Sequence, residues 1–114
     1  MKVMPIRYVR DMAACERFYT LLELSVDARQ RNGHWTELAG SGGILALHLD
    51  ETGAEPAVGL SFMATEPLEK VQARLAEAGY ESAIMDEAFG RSLRLTDPEG
   101  LRVQINENDR ELYT

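Results

Sequence analysis

Cysteine, cations and long apolar runs are scarce in this chain, and each shortage closes off a class of protein. One cysteine, Cys15, in 114 residues cannot form an internal disulfide, and a small thiol in an apolar helical stripe packs like any other hydrophobic side chain. The 12 lysines and arginines against 19 aspartates and glutamates leave a net charge of −7. That is the reverse of the basic footprint nucleic acid demands, and it favours cationic or neutral ligands. No run approaches the roughly 20 apolar residues of a membrane span, and Met1-Lys2-Val3-Met4-Pro5 lacks the apolar stretch of a secretory leader. A cytoplasmic protein with no membrane or nucleic-acid partner is expected. With 45% hydrophobic and 27% charged residues, and only 4 prolines and 9 glycines, collagen-like and disordered readings fail and an ordinary globular domain remains.

What is present is a pattern that occurs twice. Val9-Arg10-Asp11 leads into an apolar helical stripe containing Phe18-Tyr19 and then into extended segments. Met63-Ala64-Thr65-Glu66-Pro67 leads into a second stripe ending at Ala78-Gly79, again with extended segments behind it. Gly33-His34-Trp35-Thr36-Glu37-Leu38 and Gly90-Arg91-Ser92-Leu93-Arg94-Leu95 stand 57 residues apart, half of 114. Each half alone leaves one sheet face uncovered, so the halves are expected to bury each other or a partner, with a cleft where they meet.

The elements follow from local chemistry. Met4 to Arg10 reads as a strand, and Asp11 as the N-cap of a helix whose Cys15, Phe18, Leu21 and Leu22 form one apolar face. Leu24 to Arg29, His34 to Ala39 and Ile44 to Asp50 read as strands, separated by the Gln30 to Gly33 turn and the Gly40-Ser41-Gly42-Gly43 hairpin loop. Glu51 to Pro56 is a polar linker. In the second half, Ala57 to Met63 is a strand. Thr65 or Glu66 caps a helix with Pro67 in its first turn, and Leu68, Val71, Leu75 and Ala78 are its buried stripe before Gly79 stops it. Tyr80 to Asp86, Ser92 to Thr96 and Leu101 to Asn106 complete the strands, the last two joined by the turn Asp97-Pro98-Glu99-Gly100.

Val9-Arg10-Asp11 with Phe18-Tyr19, the doubled β-α-β-β-β order, and Asp97-Pro98-Glu99-Gly100-Leu101-Arg102-Val103-Gln104-Ile105 together resemble the glyoxalase, bleomycin resistance protein and extradiol dioxygenase group, the vicinal oxygen chelate superfamily. The resemblance implies an α+β fold over residues 1–114. Module one spans about residues 1–52 and module two about 57–110, paired or domain-swapped, so that a curved mixed sheet encloses a groove completed in a homodimer. The resemblance also implies, for the family's enzymes, a divalent metal held by four side chains drawn from His, Glu and Gln, one on the first and one on the last strand of each module. Here the first place falls on Met4, and the third on or beside Leu60, within Ala57 to Ala64, where no candidate donor occurs. Gln104 fills the fourth place as a weak neutral ligand. For the second, the constant offset points to Leu47, whereas alternation of Leu45, Leu47 and Leu49 against Ile44, Ala46 and His48 points to Ala46, and neither residue is a ligand. No metal and no other cofactor is expected.

Recognition of a small organic ligand by shape and contact is therefore the expectation, in a groove with an apolar floor of Met4, Ile44, Ala46, Leu60 and Phe62. Trp35 offers a flat surface for a planar or cationic ligand. Arg94, Arg102 and Gln104 offer donors to a carbonyl or carboxylate. His48, facing the groove, is the candidate catalytic base, hydrogen-bond partner or lone ligand. His34 borders a turn, and the side of the sheet taken by Trp35 and Glu37 stays open. Three functions fit: a metal-free binding protein, of the kind that sequesters an antibiotic or metabolite; a metal-dependent lyase, isomerase or dioxygenase with an atypical site; and a cofactor-free enzyme using His48 as base, or a protein whose groove is filled and serves only association.

Overall fold

Asp11 opens the first helix through its side chain, whose Oδ1 accepts the backbone N–H of Ala14 at 3.0 Å. The computed structural model of the chain describes residues 3–53, 59–88 and 90–109, and the chain divides near residue 58 into two compact units. The first unit runs β1 (Ile6–Val9), α1 (Met12–Thr20), β2 (Ser25–Arg29), β3 (Trp35–Gly40) and β4 (Gly43–Leu49). The second runs β5 (Leu60–Met63), α2 (Leu68–Glu77), β6 (Ala83–Glu87), β7 (Gly90–Thr96) and β8 (Arg102–Asn108). The strand orders are β1-β4-β3-β2 and β5-β8-β7-β6, and the first pair of each is parallel, the others antiparallel. The α+β architecture is thus one βαβββ topology used twice. Of the expected β5 strand, residues 57 and 58 lie outside the described residues, as do 54–56 of the expected linker.

In each sheet, alternation decides which face the helix covers. Leu38, Leu45 and Leu47 are buried at 0%, 3% and 0% exposure, and register places Thr36 beside Leu47 and Leu38 beside Leu45. The Thr36 hydroxyl donates to Glu16 of α1 at 2.9 Å, so this is the face α1 covers with Cys15, Phe18 and Tyr19. Leu21 and Leu22, expected in the buried stripe, follow the end of the helix and are only half-buried, and Tyr19 takes the inward place. In the second unit Leu93, Leu95, Val103 and Ile105 are buried in one register, beneath Leu68, Val71 and Leu75 of α2.

The start of α2 corrects another expectation. Neither Thr65 nor Glu66 caps it: Pro67 holds the N-cap position with no side-chain hydrogen bond there, and Glu66 instead pairs with Arg74 at 2.5 Å. Its far end behaves as Gly79 predicts. Gly79 has φ +91°, and the N–H groups of Gly79 and Tyr80 donate to the carbonyls of Ala76 and Leu75 at 3.0 and 2.9 Å, a Schellman closure. Ala78 falls past the last helical turn and is exposed.

The two hairpins explain the conflict over Ala46 and Leu47. Gly40 pairs directly with Gly43, leaving Ser41-Gly42 as the turn. In the second unit the Asp97 N–H donates to the Leu101 carbonyl at 2.8 Å, so Pro98-Glu99-Gly100 is the loop, with Gly100 at φ +85°. The second loop carries one more residue. Glu37 pairs with Ala46, and Arg94, at its repeat position, pairs with Gln104; Ala46 is therefore the counterpart of Gln104, as alternation indicates.

One polar contact under α1 makes stability depend on pH. Arg29 Nη2 lies 2.6 Å from Glu16 Oε1. Hydrogen bonding from Arg29 first, and from Thr36 with it, holds the Glu16 carboxyl below its ordinary value of 4.5, against an opposing effect of burial. A lowered folded-state pKa means this stabilisation is complete above the unfolded value and fades as pH falls through the folded one. Urea unfolding from neutral pH to about pH 3 is expected to show a shallower acid-side loss for Glu16→Gln than for the parent. Parallel curves would refute the assignment.

Candidate functional site

The face of each sheet opposite its helix carries most of the residues expected to line the groove. On the first sheet, β1, β4 and β3 set them in rows. Ile6, Ala46 and Glu37 form one row, and Tyr8, His48 and Trp35 the next. Met4 precedes β1, where Val3 and Pro5 carbonyls accept the N–H groups of Ile44 and Ala46 at 3.2 and 3.0 Å. Met4 is 43% exposed and Ile6 37%, while Ala46 is fully buried.

His48 sits between two rings. Its centroid lies 5.3 Å from that of Tyr8, tilted at 41°, and 5.8 Å from that of Trp35, edge to face at 90°. Nδ1 is 2.9 Å from the Leu49 carbonyl oxygen. A carbonyl can only accept, so the neutral ring carries its proton on Nδ1 and leaves the lone pair on Nε2. Trp35 Nε1 donates to Glu37 Oε2 at 3.0 Å. Trp35 and Glu37, whose side was open from sequence, therefore share the His48 face. Tyr8 is the residue sequence reasoning passed over. The one available signal, its parity with Ile6 on a strand whose Val9 and Arg7 turn inward, is too short to read alone.

On the second sheet the same face is polar. Ser61, Gln104 and Arg94 lie in one row, with Asn106 and Ser92 in the next. Glu87 accepts the Ser92 hydroxyl at 2.7 Å and pairs with Arg94; these contacts, Ser92 first, hold its carboxyl below the ordinary range. Gln104 Nε2 donates to Asn106 Oδ1 at 2.8 Å. Arg102 shares the face at the exposed start of β8. Leu60 and Phe62, expected on the groove floor, belong to the opposite face. Register sets them beside Val103 and Ile105, both buried with Leu93 and Leu95 on the α2 side. A strand turns alternate residues to opposite faces, so Ser61 and the 72%-exposed Met63 take the places assigned to them. His34 is exposed before β3.

The residues at the four family ligand places do not fit a divalent metal. Met4 offers a soft thioether, Ala46 nothing, Leu60 nothing, its neighbour Ser61 a neutral hydroxyl, and Gln104 one amide oxygen. Among the described residues no three of His, Cys, Asp and Glu stand together as a metal site requires.

No family model matches the chain, and no curated protein matches it in sequence. Solved structures do. An integron cassette protein from the mobile metagenome of the Halifax Harbour sewage outfall aligns at 18% identity and TM-score 0.80, over 92% of this chain and 96% of that one. Lactoylglutathione lyase from Agrobacterium tumefaciens aligns at 18% identity and TM-score 0.76, over 92% and 91%. A bleomycin-binding protein complexed with bleomycin aligns at 16% identity and TM-score 0.75, over 96% and 99%. At such identities the likeness is one of architecture, and it agrees with the doubled βαβββ topology: the chain has the fold of the glyoxalase, bleomycin resistance protein and dioxygenase superfamily.

Proposed function

We propose that this chain is a metal-free member of that superfamily, a cytoplasmic homodimer that binds a small organic molecule. The observation that carries the reading is the replacement of metal donors by Met4, Ala46 and Leu60 or Ser61, beside the ring row Tyr8, His48 and Trp35. Such a surface recognises a ligand by contact and a few hydrogen bonds. The bleomycin-binding neighbour, solved with bleomycin, is a precedent for this fold holding an organic molecule. Among the described residues no helix is long and apolar enough to cross a membrane.

The test pairs a thermal-shift screen of small organic compounds with elemental analysis. A ligand at about 100 times its Kd adds about 2.7 kcal/mol, roughly 10 °C in melting temperature for a chain of this size. EDTA is expected to leave the melting temperature unchanged. Stoichiometric nickel, zinc, manganese or iron in the purified protein, or a fall in melting temperature with EDTA, would sink the proposal.

A further inference from the structure

We infer that the Tyr8, Trp35, Glu37 and His48 face of the first sheet is a site for a planar organic cation bearing N–H donors, such as an amidinium; the inference rests on the binding reading above and names its ligand class. The strongest observation is the missing counter-charge. Among the described residues three strand glutamates sit half-buried on sheet faces, Glu37, Glu87 and Glu107. Glu87 meets Arg94 and Glu107 meets Arg91 at 2.7 Å, whereas Glu37 meets an indole N–H and, among the described residues, no cation. A partly buried carboxylate that has one neutral N–H donor and no cation keeps its charge uncompensated, and a bound cation supplies the counter-charge.

The neighbours select the same chemistry. Trp35 engages Oε2 of Glu37 and leaves Oε1 as an acceptor. His48 commits Nδ1–H to the Leu49 carbonyl, so its neutral ring presents Nε2 as a second acceptor. The rings of Trp35 and Tyr8 flank His48, and an aromatic face attracts a flat cation through its quadrupole. Two acceptors, aromatic rings and one uncompensated negative charge favour a cation with several N–H groups over a carboxylate or a neutral amide. The repeat makes the contrast internal to the protein, because the position of Glu37 is occupied in the second sheet by Arg94, already paired with Glu87.

Trp35 is the only tryptophan, so its fluorescence reports from this site. Benzamidinium is expected to change that fluorescence saturably at millimolar concentrations, with neutral benzamide and anionic benzoate weaker by about tenfold or more. Glu37→Gln, nearly isosteric, is expected to weaken benzamidinium by about tenfold or more and to leave benzamide unaffected. No saturable response to benzamidinium, or equal response to benzamide, overturns the assignment, and this comparison on the parent protein needs no variant to fold. A neutral or anionic compound that raises the melting temperature equally in the parent and in Glu37→Gln also overturns it, while the broader proposal of a small-molecule binder stands.

Discussion

Phe18→Ala is expected to lower the unfolding free energy by about 3–5 kcal/mol. Phe18 is fully buried on α1 and packs edge to face against Tyr19, ring centroids 4.9 Å apart. It belongs to the helix stripe that covers the Leu38, Leu45 and Leu47 face. Truncation removes the transfer energy of the ring and leaves a cavity that neighbouring leucines cannot fill without leaving their strands. Natural domains have only about 5–15 kcal/mol in hand, so this variant is expected to unfold at much lower urea. A loss below about 1 kcal/mol would mean that α1 does not pack on the sheet through this residue.

Asp97→Ala is expected to cost about 2–4 kcal/mol, chiefly through lost hydrogen bonds. Asp97 is 4% exposed, and its Oδ1 accepts the N–H groups of Glu99 and Leu101 at 2.9 and 3.0 Å. Leu101 is itself 6% exposed, so its amide loses its partner in a place water barely reaches. The Pro98-Glu99-Gly100 loop depends on this carboxylate to hold its turn. Asp97→Asn keeps an acceptor oxygen and is expected to recover part of the loss, which separates hydrogen bonding from loop propensity. Denaturation of both variants by urea provides the comparison, and equal stability of Asp97→Ala and parent would overturn it.

Local chemistry makes much of the fold legible in the sequence. Asp11 as N-cap, Gly79 as helix stop and the Asp97 to Gly100 turn depend on residues a few positions apart, where side-chain reach and backbone conformation settle the outcome. The apolar alternation of β4 was long enough to assign both faces, and it correctly overruled the constant offset that pointed to Leu47. Helix ends were less legible. Leu21, Leu22 and Ala78 continue an apolar spacing beyond the last turn, and periodicity does not record where hydrogen bonding stops. Leu60 and Phe62 lie on the face opposite the expected one, because a family spacing does not fix the faces of a short strand, where a shift of one residue exchanges them.

The site shows the same division. Sequence alone determined the doubled topology, the negative charge, the absence of His and Glu from the family places and the placement of Ala46 and His48 on one face. Only the tertiary structure brought Tyr8, Trp35 and Glu37 to that face and left Glu37 facing an indole while Glu87 and Glu107 found arginines. The reason is physical. Composition and alternation are written along one strand, whereas the neighbours of a side chain across a sheet are set by register between strands far apart in the chain.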